Sequence, residues 1–152
     1  HEVGHTLGLE HNFGASSTVE VEKLRNKAWV EAHGHTPSIM DYARFNYVAQ
    51  PEDHISEKGI FPRIGDYDIW AIKWGYTWHP EFETAEEEAE VLKKLVTDST
   101  LRNPRLWFGN EMEPFDPRSQ NEDLGDDAIK ASLYGIKNLK KSFLWAIQIL
   151  IC

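Results

Sequence analysis

The segment HEVGHTLGLEH, residues 1–11, gathers His1, Glu2, His5, Gly8 and His11 at one end of a 152-residue chain. On a helix, His1 and His5 stand one turn apart and project from the same face. Two imidazoles so placed reach one metal ion at about 2.0–2.1 Å, the zinc–nitrogen distance. A catalytic zinc site takes three protein groups and keeps one position open. The spacing HExxHxxGxxH supplies the third group, because Gly8 permits a sharp change of direction that swings His11 back towards the pair. Glu2 follows the first ligand, so its carboxylate lies beside the metal without having to bind it. From there it can take a proton from an attacking water. Zn²⁺ is the cofactor this set implies. Solvated, idle histidines on a surface helix would explain HExxH alone, but not the glycine and third histidine at fixed offsets.

The elements that position these groups read as mainly α. Residues 1–7 form the helix carrying the first two ligands, and Gly8 ends it. Ser17 with Glu20 fits a capping box, predicting a helix to about Ala32 before the turn-prone stretch 33–37. Residues 43–64 lack a clean period and contain Pro51, Gly59 and Pro62, so they are expected to be irregular. Asp66 is placed to cap a short helix through Lys73, closed by Gly75. Thr84 with Glu87 makes a second capping box, behind which Ala85, Ala89, Leu92 and Val96 form one buried stripe to about Thr97. Residues 102–125 hold three prolines and read as an ordered loop or broken strand. A last helix begins near Asp126, puts Ile129, Leu133 and Ile136 on one face, and runs into an apolar tail.

Composition narrows the function classes. Hydrophobic residues make up 41% of the chain and aromatics 12%, enough for a packed core. A formal charge of −9 argues against a general affinity for nucleic acid. Cys152 is the one cysteine, which excludes an internal disulfide framework and a thiolate zinc cluster. The longest apolar run, residues 143–152, is too short to span a bilayer.

Downstream, TPSIMDY occupies residues 36–42. Alone, Met40 after a Pro-Ser turn reads as core filler. Together with HExxHxxGxxH it resembles the signature of the metzincin zinc endopeptidases, whose second element is a methionine-containing turn beneath the metal. Ser38-Ile39-Met40-Asp41-Tyr42 is similar to the turn of astacins and serralysins, where a tyrosine two residues after the methionine lies near zinc. The resemblance implies Tyr42 as a fifth ligand that swings to hydrogen-bond the oxyanion. The competing reading is a tyrosine whose hydroxyl caps a carbonyl.

The stretches HNFGAS, TPSIMDYARFNYVAQPED, AIKWGY and EDLGDDAIKASLYGIKNLK resemble the large exported zinc-dependent metalloproteases of Bacteroidetes, over about residues 1–140. The resemblance implies a secreted or envelope-attached peptidase with peptide or protein substrates. It implies residues 1–80 as the lower, zinc-bearing C-terminal half of a metzincin-like α+β catalytic domain, with 81–152 a helical extension packed on it. The upper half-domain, with its twisted sheet, lies outside this segment and is the expected intramolecular partner. The tail KKSFLWAIQILIC does not resemble the family's continuation.

Several expectations follow from this reading. His1 sits in an unsupported first turn, so its ring must be ordered by the metal itself. The apolar face of Val3, Leu7 and Leu9 is bare and suits a homodimer. The isolated segment is expected to be a poor catalyst. A non-catalytic zinc module is the alternative, its fourth position closed by His33 or His35. Asn12 is placed to orient an imidazole and Glu10 to be solvated, while Asp41 can bond a histidine or backbone below the metal. Trp70, Trp74 and Trp78 read as core rather than as a carbohydrate platform. The acidic pairs 122–123 and 126–127 miss the EF-hand spacing, and Asp126 reads as a helix cap.

Overall fold

The computed structural model describes residues 1–110 and 116–151, the last three as backbone. Residues 111–115 of the expected loop and Cys152 therefore lie outside the described residues. The described chain forms six α-helices joined by irregular segments and short 3-10 turns, with no strand among the described residues. The helices are α1 (Glu2–Thr6), α2 (Lys27–His33), α3 (Glu57–Ile60), α4 (Asp66–Tyr76), α5 (Ala85–Arg102) and α6 (Ala128–Ile151). No described helix is long and apolar enough to cross a membrane.

The single helix expected between Ser17 and Ala32 does not form. The Ser17 hydroxyl donates back to the Gly14 carbonyl at 2.7 Å, and the backbone turns extended at Val19 and Glu20, so no α-helix starts there for it to cap. Val19 and Val21, two apart, are both buried, which suits extended backbone rather than a helix. A true start comes later, where Asn26 accepts a hydrogen bond from the Trp29 N–H at 3.0 Å and opens α2. Residues 43–64 are irregular apart from α3 and a 3-10 turn at Pro51–Asp53.

Caps moved in two further places. Gly65 precedes α4, and Asp68 in its first turn accepts the Gly65 N–H at 2.8 Å. Asp66 instead pairs with Arg105 at 2.8 Å. The helix runs through Gly75 to Tyr76. At α6, Asp127 caps by accepting the Lys130 N–H at 2.9 Å, while Asp126 accepts the N–H of Val21 at 3.0 Å. In α5 the Thr84 cap holds, accepting from Glu87 at 3.3 Å. Its expected stripe is only half-buried at Leu92 and Val96, and Ala85 and Ala89 are exposed.

The buried face of α6 also differs from its apolar stripe. Ile129, Leu133 and Ile136 are exposed. The docked face carries Ala131, Tyr134 and Asn138. Asn138 donates to the carbonyls of Tyr47 and Ala49 at 3.0 and 2.8 Å. Segment 43–50 forms no sheet, so its buried carbonyls need side-chain donors, and that requirement turns the helix. The core shares residues from both ends of the chain: Val19, Val21, Leu24, Ala43 and Val48 pack with Leu124 and Ala131. Residues 124–131 thus complete the core of the segment that carries the site.

Asp123 borders this core, and burial pushes its carboxyl up to about 6, against a weak hydrogen bond from Ser16. The folded state therefore holds that proton more tightly than the unfolded chain, whose aspartates titrate near 3.9. Stability on this account falls as pH rises from about 4 to about 6, then levels off. Asp123→Asn is expected to stabilise the protein at pH 7, by on the order of 1 kcal/mol after solvent screening, and to leave it unchanged at pH 4. Thermal unfolding at the two pH values checks this.

Candidate metal centre

Helix α1 is one and a half turns long and ends in a Schellman motif. The Leu9 N–H bonds the Gly4 carbonyl at 3.0 Å and the Gly8 N–H bonds that of His5 at 3.0 Å. Gly8 has φ +82°, with open space where a Cβ would project. A side chain there meets no neighbour but strains the backbone by about 1–2 kcal/mol. Gly8→Ala is therefore expected to cost about 1 kcal/mol of stability and to weaken metal binding, since this turn delivers His11. Chelator competition and thermal melts of the variant test both effects.

The three histidines come together. His1, His5 and His11 each offer a ring nitrogen, and these atoms lie within 4.8 Å of one another. The His1 Nδ1–H donates to the Ile39 carbonyl at 2.7 Å, and the His5 Nδ1–H to that of Leu9 at 2.9 Å. A carbonyl can only accept, so each bond fixes the tautomer and leaves Nε2 as a bare lone pair. The Nε2 atoms of His5 and His11 stand 3.2 Å apart. Ligand nitrogens at about 2.0–2.1 Å from one tetrahedral ion stand roughly 3.4 Å apart. His1 Nε2 is buried with no hydrogen-bond partner. An orphaned nitrogen and two close-set companions fit a zinc ion.

His1 is thus not ordered by metal alone, contrary to expectation: the methionine turn holds its ring through Ile39. That turn lies directly beneath α1. Met40 is fully buried, and a Cβ on Gly4 would come 2.3 Å from its sulfur. The Met40 carbonyl accepts the Asn12 N–H at 3.1 Å, tying the turn to the residue after His11. Tyr42 stands beside the cluster, its ring centroid 5.1 Å from that of His1 and 4.7 Å from that of His11. Glu2 is exposed in the first turn of α1, next to His1.

Asp41 is buried below the turn and reaches no histidine. Its Oδ2 accepts from the Ser16 N–H at 2.8 Å and the Thr36 hydroxyl at 3.0 Å. Burial raises its carboxyl to about 7 against those two bonds. Asn12 touches no imidazole through its side chain. Its amide donates to the Trp107 carbonyl and accepts from the Gly109 N–H, at 3.2 and 3.0 Å. Glu10 is exposed and accepts from Asn110 at 3.1 Å. His33 and His35 stay out of the cluster: His33 packs on Trp29 with ring centroids 4.9 Å apart. His35 is buried and donates to the Ala43 carbonyl at 2.7 Å, and burial lowers its pKa. Trp70 and Trp74 stack at 6.4 Å, half in solvent, and Trp78 is 83% exposed, so the three are not core.

One residue at this centre has no sequence signature. Asp68, buried at the start of α4, accepts from the Ser38 hydroxyl at 2.7 Å and the Ile39 N–H at 2.8 Å. Ser38 Oγ in turn accepts the Met40 N–H at 3.0 Å. Asp68 therefore fixes the peptide unit whose carbonyl orients His1. Only a helix N-terminus thirty residues downstream supplies it, and no local spacing reveals that.

A histidine triad at a helix–glycine–turn junction, seated on a buried methionine turn, is a cluster that could hold a metal ion. Across residues 1–144 the chain matches a family model described as Met-zincin. It belongs to the Met-zincin family. No curated protein and no solved structure matches it.

Proposed function

We propose that this chain carries the zinc-binding half of an endopeptidase active site, with His1, His5 and His11 as ligands and Glu2 as general base. The observation that carries this reading is the convergence of three imidazole nitrogens within 4.8 Å, with Glu2 exposed and next to His1 in the chain. Bound there, Zn²⁺ supplies Lewis acidity, which polarises the scissile carbonyl and acidifies water. The chain's own groups do the rest. The Ile39 and Leu9 carbonyls keep the two imidazoles in the metal-binding tautomer. Glu2 accepts the proton of the attacking water and returns it to the leaving amine. The Tyr42 hydroxyl donates to the oxyanion as the carbonyl becomes tetrahedral. Peptides or proteins are the substrates, and export from the cytoplasm is part of the same proposal.

The walls of the cleft come from elsewhere in the protein. A cavity of about 390 Å³ behind α1 is lined by Val3, Leu7, Leu9, Ile39, Ile64 and Ile72. We place the preceding half-domain of the same protein against this apolar face, with self-association of the segment as what the bare face would otherwise do. Metal analysis and hydrolysis of an unstructured protein substrate, with and without chelator, test the function. Zinc at one per chain with chelator-sensitive hydrolysis once the preceding half is restored supports it.

A second reading, a zinc module without turnover, draws on one observation: no described residue forms a strand to pair with an extended peptide. Zinc binding without hydrolysis in the completed domain would favour it.

A further inference from the structure

Every second residue around the third ligand is gripped by one short stretch of the C-terminal region. Asn12 exchanges two hydrogen bonds with the backbone of Trp107 and Gly109, at 3.2 and 3.0 Å. The Gly14 N–H donates to the Gly109 carbonyl at 2.8 Å. Glu10 accepts from the Asn110 amide at 3.1 Å. Glu10, Asn12 and Gly14 thus face residues 107–110. His11 and Phe13 alternate with them, stacked on each other at 4.9 Å and against Tyr42 at 4.7 and 5.1 Å. The strap is itself immobilised. The Trp107 ring lies so close over Gly14 that a Cβ there would fall 2.2 Å from it. Arg118 covers the same ring at 4.2 Å. Phe108 stacks on Tyr67 of α4 at 6.0 Å.

We infer that residues 107–110 are a positioning element of the metal centre: they set where His11 stands. The inference rests on His11 being a zinc ligand, and it assigns to the region beyond residue 80 a task at the site. The physical reason is conformational. After Gly8 reverses the chain, residues 9–14 belong to no helix or sheet, so their backbone is fixed by what they bond. The Met40 carbonyl holds Asn12 from below, through its N–H. Residues 107–110 hold its side chain and both its alternate neighbours. Without the strap, the backbone that carries the third imidazole must be ordered at the expense of metal affinity.

The test uses the full chain and zinc alone as the probe. Dissociation constants come from chelator competition, and X-ray absorption counts the imidazoles on the metal. Asn12→Ala is expected to weaken zinc binding by about 10–100-fold and to reduce the imidazole count from three to two. Asn12→Asp, which keeps the acceptor for Gly109 but loses the donor to Trp107, should fall between Asn12→Ala and the native chain. Val48→Ala, in the core away from the strap, should lower the melting temperature of the metal-free protein without changing zinc affinity. If Asn12→Ala does not fold by circular dichroism, Glu10→Ala on the rim decides, with a loss of a few-fold expected. A folded Asn12→Ala, or in its place Glu10→Ala, that binds zinc through three imidazoles as tightly as the native chain overturns the brace. A native chain that binds no zinc overturns the proposed function instead, so the two failures are separable.

Discussion

Glu2→Gln, in the protein with its catalytic domain complete, is expected to slow peptide hydrolysis by about 10²–10⁴-fold, the span that general-base catalysis contributes. Zinc content should stay at one per chain. The amide is nearly isosteric with the carboxylate but cannot accept the proton of the attacking water. Glu2 is exposed and in the first turn of α1, so nothing in the packing depends on its charge. His1 and His5 keep their carbonyl anchors whatever stands at position 2. Steady-state kinetics should show the loss in kcat rather than KM, because the missing step follows binding. Hydrolysis at the native rate would remove Glu2 from the base role.

Asp68→Ala is expected to give the largest loss of stability among single changes near the site, about 3–5 kcal/mol. The carboxylate is buried and accepts from the Ser38 hydroxyl and from the N–H groups of Ile39 and Gly65, each within 2.8 Å. Removing it leaves three buried donors unpaired, and each such donor costs about 1–3 kcal/mol. The consequence reaches the metal as well. Ile39 presents its N–H to Asp68 and its carbonyl to His1. The Met40 N–H, which shares a peptide unit with that carbonyl, is held by Ser38 Oγ, itself a donor to Asp68, so losing the carboxylate loosens the units on both sides of Ile39. Denaturant melts of the metal-free protein measure the first effect, and chelator competition the second. Asp68→Asn should fall between, since its amide oxygen still accepts but its nitrogen meets a donor. Melts superimposable on those of the native chain would contradict the clamp.

The geometry of the histidine cluster was legible in the sequence where it is local. His1, His5 and Gly8 belong to one helix and its exit, so their geometry follows from helical spacing and one positive-φ residue. His11 and the methionine turn followed from motif and resemblance. What supports them was not legible, because it runs between distant segments. The tie from Asp68 to Ser38 spans 30 residues, and the tie from Asn12 to Gly109 spans 97. Asn12 drew attention as a residue beside a ligand, and its position does matter, but through backbone groups of the strap rather than an imidazole.

The helices show the same division. Thr84 and the existence of α4, α5 and α6 came from caps and periodicity. The face α6 buries did not, since Asn138 turns inward to donate to the carbonyls of residues 47 and 49, which no sheet pairs, and the apolar stripe is left in solvent. The proposed helix across residues 17–32 failed for a related reason. Its Ser17 signal satisfies the capping pattern, yet the hydroxyl finds a nearer carbonyl at Gly14.

Zinc stoichiometry measured on the native chain beside its single histidine variants tests the central claim most directly. One zinc per native chain is predicted, with affinity falling by orders of magnitude in His1→Ala, His5→Ala and His11→Ala and unaffected in His33→Ala. A native chain that takes up no zinc, or a His11→Ala variant that holds it equally well, would contradict a shared three-imidazole site.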